Sequence, residues 1–344
     1  MLLGIVVKNI KIVTGIFACV LAFSLSGCAN TAETKVEKKA KPSVEKIWPL
    51  TGEKASSGDD IARPALSMKI ENIDDARPHV GLDKADIVWE QMVEGGLVRF
   101  NAVFHSDLPE KAGPMRSVRP MDADISAPLK GVFACSGGQL PFKQSVSEVV
   151  GKLIDEDGAG STAMRSSDRP VPHNLFLNVK EALAEFGKGL NAPSRQLDFA
   201  DGKKNKLFVD AKGSDAKPAN NLVLDYPAHN AKWDFDASSK EYLRSDNGSA
   251  LVTEDGVRIA SNNIVVMDVN VKPNSFDAHV PQTILVGEGK ARFLTNGKYV
   301  EGTWSKKNID SPVIFKDLKG RRINFAPGKT WIELLPVTSS FEIG

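Results

Sequence analysis

Short apolar runs and a few amphipathic stretches divide the chain into predicted elements. "ALSMKIEN" (65–72) and "VRFNAVFH" (98–105) read as buried or half-buried strands. "ADIVWEQMVEGG" (85–96) fits helix or strand, and its Val/Ile-rich character bounded by glycine favours strand. "PFKQSVSEVVGKL" (141–153) is amphipathic at helical period. "NVKEALAEFGKGL" (178–190) is the clearest helix: Asn178 stands at the N-cap, Glu181 three residues on completes a capping box, and Gly187 marks the end. From Leu222 onward, short strands alternate with turns, in "NIVVMDVNV" (263–271), "TILVGEGKARFLTNGKYVEGTW" (283–304) and "PVIFKDLKGRRINFAPGKTWIELLPV" (312–337). Asn296-Gly297 signals a type I′ hairpin and Lys319-Gly320 a second one. "GEGK" (287–290) lacks phosphate-loop spacing and reads as a hairpin turn.

This pattern predicts an α/β front lobe, a mixed sheet with helices over residues 47–205, opened by "WPLTG" (48–52). A smaller β-rich lobe follows over 220–344, and polar, turn-rich 202–221 joins the two.

The N-terminus adds an address. Lys8 and Lys11 precede the apolar run Ile12 to Leu25, which is shorter than the roughly 20 residues of a spanning helix. The run ends in "LSGC" (25–28), which resembles the lipobox of bacterial lipoproteins. Residues 1–27 are therefore expected to be a lipoprotein signal peptide. Cys28 is the expected lipidation site, with palmitate among the acyl chains, and two or more chains anchor a protein stably. Residues 28–46, lysine-rich with little apolar to bury, read as a flexible tether.

Charge and cysteines narrow the function classes. Lysine and arginine number 44 against 43 acids; without Lys8 and Lys11 the mature chain falls to 42 against 43, near −1. That balance excludes the strongly basic footprint of a nucleic-acid binder. Cys19 leaves with the signal and Cys28 takes lipid, so Cys135 stands without a disulfide partner and reads as a small buried hydrophobe. HExxH, CxxC, GxxxxGK[ST] and GxSxG motifs are absent from the sequence, and "DEDG" (155–158) and Asp122/Asp124 lack the ligand spacing of a Ca²⁺ loop. No metal site and no cofactor is expected.

The residues that remain form recognisable blocks: "SMKIENIDDARPHVGLDKADIVWEQMVEGGLVRFNAVFHSDLPEKAGPMRSVRP" (67–120), "RSSDRPVPHN" (165–174), "NNIVVM", "VGEGKARFLTNGKYVEGTWSKKN" and "APGKTWIELLP". In them the chain resembles the YerB-like family of bacterial lipoproteins, a two-part domain of unknown function, over essentially everything after the tether. The resemblance implies two-lobed α/β architecture and lipid anchoring outside the cytoplasmic membrane. It implies no reaction.

Within "GPMRSVRP" (113–120), Pro114 suits the first position of a helix, and a spacing of three would then place Arg116 and Arg119 on one face. Arg77, Arg99 and Arg169 come from neighbouring motifs, as do His79, His173, Glu90 and Glu94. Converging, Arg77, Arg99, Arg116, Arg119, Arg169 and His173 would hold a carboxylate or phosphate. Pairing of the arginines with Asp83, Asp86, Glu90 and Glu94 would instead serve the fold. The leading expectation is a non-enzymatic lipoprotein on the extracytoplasmic face of the membrane, binding an anionic small molecule, cell-wall component or envelope partner through this cleft. The alternatives are an envelope hydrolase or transferase acting on cell-wall glycan or peptide through Glu90, Glu94 or His173, and a scaffold of envelope machinery.

Overall fold

A computed structural model describes residues 45–344; the signal peptide, Cys28 and the tether up to residue 44 lie outside the described residues. Alternation along the front strands comes first. In Leu66–Glu71 (β1), Leu66, Met68 and Ile70 are buried on one face, while Ser67, Lys69 and Glu71 take the other. Ile87–Met92 (β2) and Val98–Phe104 (β3) pair antiparallel, and β3 pairs antiparallel with β1. Val132–Ala134 (β4) and Lys152–Ile154 (β5) extend that edge in parallel.

The predicted helix over 141–153 spans only Leu140–Ser147. The chain turns at Gly151, which lies against the Lys130 carbonyl, and "KLI" joins the sheet as β5 instead. The helix at Val179–Phe186 is as expected: the Asn178 side chain accepts from the Glu181 backbone N–H at 3.0 Å, and Gly187 caps the end.

Strands of the back segment complete both sheets. Asn221–Tyr226 (β6), His229–Asp236 (β7) and Glu241–Asp246 (β8) form an antiparallel meander, closed at the β6 edge by Ser340–Ile343. Asn263–Pro273 (β9), Gly287–Thr295 (β10), Lys298–Lys306 (β11), Ile314–Asp317 (β12) and Thr330–Pro336 (β13) enter the main sheet. Its order is β12-β11-β10-β9-β13-β2-β3-β1-β4-β5. β13 runs parallel to both β2 and β9 and so joins the front strands to the back ones. "GEGK" begins β10 rather than forming a turn, because Gly289 packs directly under Trp304 and leaves no room for a side chain. The turn sits at Asn296-Gly297, both at positive φ.

One face of the main sheet packs on the meander through Met68, Phe100, Ile264 and Trp331 against Leu222, Trp233 and Tyr242. Its other face packs Ile87, Trp89, Val265 and Ile332 against Ile125, Leu129, Phe208 and Phe325. Residues Glu45–Gly344 are one compact unit with these cores. Mixed-sheet architecture with few helices, strand-only in its back segment, is thus the observed fold. Among the described residues no helix is long and apolar enough to cross a membrane.

Candidate functional site

The segment "GPMRSVRP" is extended, not helical. β4 covers only Leu66–Met68 of β1, and the strap takes over where β4 stops. The Arg116 N–H donates to the Lys69 carbonyl at 2.9 Å, and the Glu71 N–H donates to the Pro114 carbonyl at 3.2 Å. Met115 and Val118 are buried as the anchors of the strap. The Val118 N–H donates to the Gly137 carbonyl, and Gly138, at positive φ, leaves the space that Val118 fills. The chain then turns at Arg119, whose N–H donates to Asp122 Oδ2 at 2.7 Å. The helix expected from Pro114 does not form; Arg116 and Arg119 are brought together by the strap and this turn.

Below the strap, register sets the second row. Arg99 lies opposite Glu71 on one side and Gln91 on the other. These three side chains share the sheet face that carries Lys69 and Asn101. Glu71 accepts from Arg116 Nε and from His173 Nδ1, both at 2.7 Å. Glu94 accepts from Arg119 Nε at 2.8 Å, which holds its carboxyl below the ordinary value against the upward push of burial. Arg119 Nη1 also donates to the Val118 carbonyl at 2.9 Å. Arg99 has no carboxylate within 4.0 Å among the described residues; its one bond is a long 3.5 Å contact to the Ser117 carbonyl. Burial and the neighbouring Arg119 and Arg116 push its pKa down to about 10. Arg116, Arg119 and His173 keep 20, 11 and 13% of their side-chain exposure, so solvent reaches the cluster.

Behind it, the fully buried Lys69 donates to Asp122 Oδ1 at 3.1 Å, and that oxygen also accepts from Gln91 and Asn101. Burial pulls Lys69 down to about 8 against the pull of Asp122. This layer positions the strap turn from below.

The other expected site residues are elsewhere. Glu90 points to the opposite face of β2 and is fully buried. It accepts from Arg244 Nη2 at 2.8 Å and Trp331 Nε1 at 3.0 Å. Burial holds its carboxyl well above the usual range. Arg244 also donates to Glu333 at 2.6 Å and Asp246 at 2.5 Å, and it lies over the rings of both Trp233 and Trp331. Arg77 is bound by Asn72, Asp74 and Asp246. Arg169 donates to the Ala76 and Pro78 carbonyls and to Glu254. Asp86 accepts from Ser106, and Asp83 pairs with Lys84, so neither serves these arginines. His79 is buried beneath, its Nε2–H donating to the Glu71 carbonyl at 2.7 Å. Cys135 is buried, and burial pushes its thiol up to about 12, an inert state.

The five arginines therefore divide. Arg99, Arg116 and Arg119 meet with His173 and Glu94, while Arg77 and Arg169 are tied into the frame. Sequence reasoning passed over Glu71, the carboxylate that organises Arg116 and His173. Its signal was the polar register Ser67-Lys69-Glu71 along an otherwise apolar strand.

Comparison with known proteins places this architecture. Residues 50–191 match the N-terminal domain, and residues 222–332 the C-terminal domain, of the family described as protein of unknown function DUF3048. A Bacillus subtilis (strain 168) protein named "Putative lipoprotein YerB" is 30% identical over 334 residues, covering 92% of this chain and 93% of that relative. The crystal structure of YerB protein from Bacillus subtilis superposes with a TM-score of 0.74 at 25% identity, covering 87% of this chain and all of that one.

Proposed function

The chain belongs to the two-part DUF3048 family, and from that premise we propose that it is a lipid-anchored protein of the extracytoplasmic membrane face that binds an anionic group at Arg99, Arg116 and Arg119. Cys28 in its lipobox-like setting supports the anchor, as does the lipoprotein name of the Bacillus relative. One observation carries the binding reading: Arg99 is held beside two other guanidiniums without a carboxylate of its own. A fold that needed only structural ion pairs would match that charge, since an unpaired, half-buried cation is costly. An incoming carboxylate or phosphate supplies the missing charge, and the outer nitrogens of Arg116 and Arg119, whose Nε atoms hold Glu71 and Glu94, add donors. The ligand class is an anionic small molecule or an anionic component of the cell wall.

Cosedimentation of residues 45–344 with purified cell walls, intact or stripped of phosphate-bearing polymers, tests this. Binding to intact walls that is lost on stripping, and lost in Arg99→Gln, is the expected result. Equal binding of wild type and Arg99→Gln to both preparations would favour the scaffold reading instead.

A second reading has its own observation. Glu71 fixes the proton of His173 on Nδ1, which leaves Nε2 as an oriented base beside the anion site. Under that reading the protein is an envelope hydrolase or transferase. Product release from wall fragments would then vanish in His173→Ala and in Glu71→Gln while binding through Arg99 persists.

A further inference from the structure

A second charged surface lies at another place in the fold. The loop 202–217 and the hairpin 316–322 together carry nine lysines and arginines against Asp210, Asp215 and Asp317. The two are tied together: Arg321 donates to the Lys212 carbonyl at 2.6 Å, and Lys319 donates to the Gly213 carbonyl at 2.7 Å. The acids nearby are already engaged, Asp215 by Lys319, Asp317 by Arg321 and Asp198 by Arg322. Lys203, Lys204, Lys206 and Lys212 are exposed and have no carboxylate partner among the described residues. Lys204, Lys206, Lys212, Arg321 and Arg322 border one depression of about 250 Å³. At the hairpin tip, between these cations, Leu318 is 69% exposed.

The direction of this surface follows from where the described chain begins. Glu45 borders the same depression as Gly202 and Asn205, next to Lys203. Sixteen residues lie between Cys28 and Glu45. Even fully extended they reach no more than about 60 Å. A lipid on Cys28 thus lets the lysine loop, beside the point where the tether enters the folded unit, reach the membrane surface.

We propose that this face docks on the anionic lipid headgroups of the membrane that holds the anchor, with Lys203, Lys204, Lys206 and Lys212 meeting phosphates and Leu318 entering the interface. Basic side chains near an anionic bilayer and an exposed apolar tip are the two terms that drive peripheral binding. The orientation rests on the lipid-anchor reading of Cys28; the surface chemistry does not.

The test uses residues 45–344, which carry their own cores, and vesicles of phosphatidylcholine with or without a third phosphatidylglycerol. Wild type is expected to cosediment with the anionic vesicles and to release at high salt. Lys204→Gln/Lys206→Gln/Lys212→Gln should lower that partitioning on the order of a hundredfold. Leu318→Ser should lower it roughly tenfold. Unchanged melting of both variants shows that the fold is intact. Absence of binding, equal binding to neutral vesicles, or equal binding by the triple variant would overturn the proposal. The anchor is tested separately by whether Cys28→Ala releases the full chain from membranes, so either idea can fail without the other.

Discussion

At the scale of single residues, Arg99, Arg116 and His79 play different parts that substitution separates. Arg99 holds no carboxylate and is crowded by Arg116 and Arg119. Arg99→Gln is therefore expected to leave the melting temperature unchanged or raise it. Arg116→Ala strands the buried Glu71 carboxylate, which His173 alone would then serve. That change should cost about 2–4 kcal/mol in chemical denaturation, less than the full range for a buried pair because Arg116 is partly exposed. Equal losses in the two variants would mean that Arg99 also holds the fold. His79 supplies a pH effect. Burial pushes its pKa down to about 4, and its Nδ1 has no partner. The unfolded chain takes up that proton first, so the contribution of His79 to stability falls as pH drops from about 6.5 to about 4, by about 3 kcal/mol at most. Asp86, raised by burial to about 6, works in the opposite direction over part of that range. The comparison to make is wild type against His79→Gln, measured at pH 7 and pH 5. The variant should lose less on acidification; a parallel loss would remove His79 from the account.

At the scale of elements, the strap decides the site. Gly138 sits at φ +127°, and a Cβ there would meet Val118 Cγ1 at 2.5 Å. Gly138→Ala should displace the strap, lower stability by about 2 kcal/mol or more, and weaken anion binding together with it. Stability loss with full binding would show that the arginines do not depend on the strap. This element also marks the limit of what was legible. Strands such as β1 and β3, the capped helix at Val179–Phe186 and the Asn296-Gly297 turn follow local rules, and periodicity and capping found them. "GPMRSVRP" offers the same local signals as a helix start, but it pairs with the end of β1, a partner more than forty residues away. Long-range pairing of that kind leaves no mark on a short window. Glu90 shares the motif segments with Arg99, yet alternation along β2 sends it to the far face. Convergence of Arg99, Arg116 and Arg119 was anticipated from residue type; the exclusion of Arg77 and Arg169 depended on partners in distant loops.

At the scale of the whole molecule, the network around Arg244 joins the two sheets. Arg244 belongs to the meander, and Glu90 and Glu333 belong to β2 and β13 of the main sheet. Removing the guanidinium leaves three buried carboxylates facing one another, with Arg77 as the remaining cation on Asp246 and the His229 ring beside Glu90 and Asp246. Arg244→Ala should cost at least about 3–5 kcal/mol and yield little soluble protein, whereas a soluble variant with wild-type melting would contradict the assignment. The same frame fixes the spacing between the anion site at one end of β1 and β3 and the lysine face beside Glu45. The central claim is that the frame presents an unmatched arginine for an anion. It is tested most directly by thermal unfolding of residues 45–344, wild type and Arg99→Gln, titrated with pyrophosphate and with citrate at matched ionic strength. At a hundred times its dissociation constant a bound anion adds about 2.7 kcal/mol, a rise of roughly 4 °C for a domain of this size. The account predicts that rise in wild type and none in Arg99→Gln, each measured from its own anion-free baseline. Equal shifts in both proteins, or no shift in wild type with either anion, would contradict it.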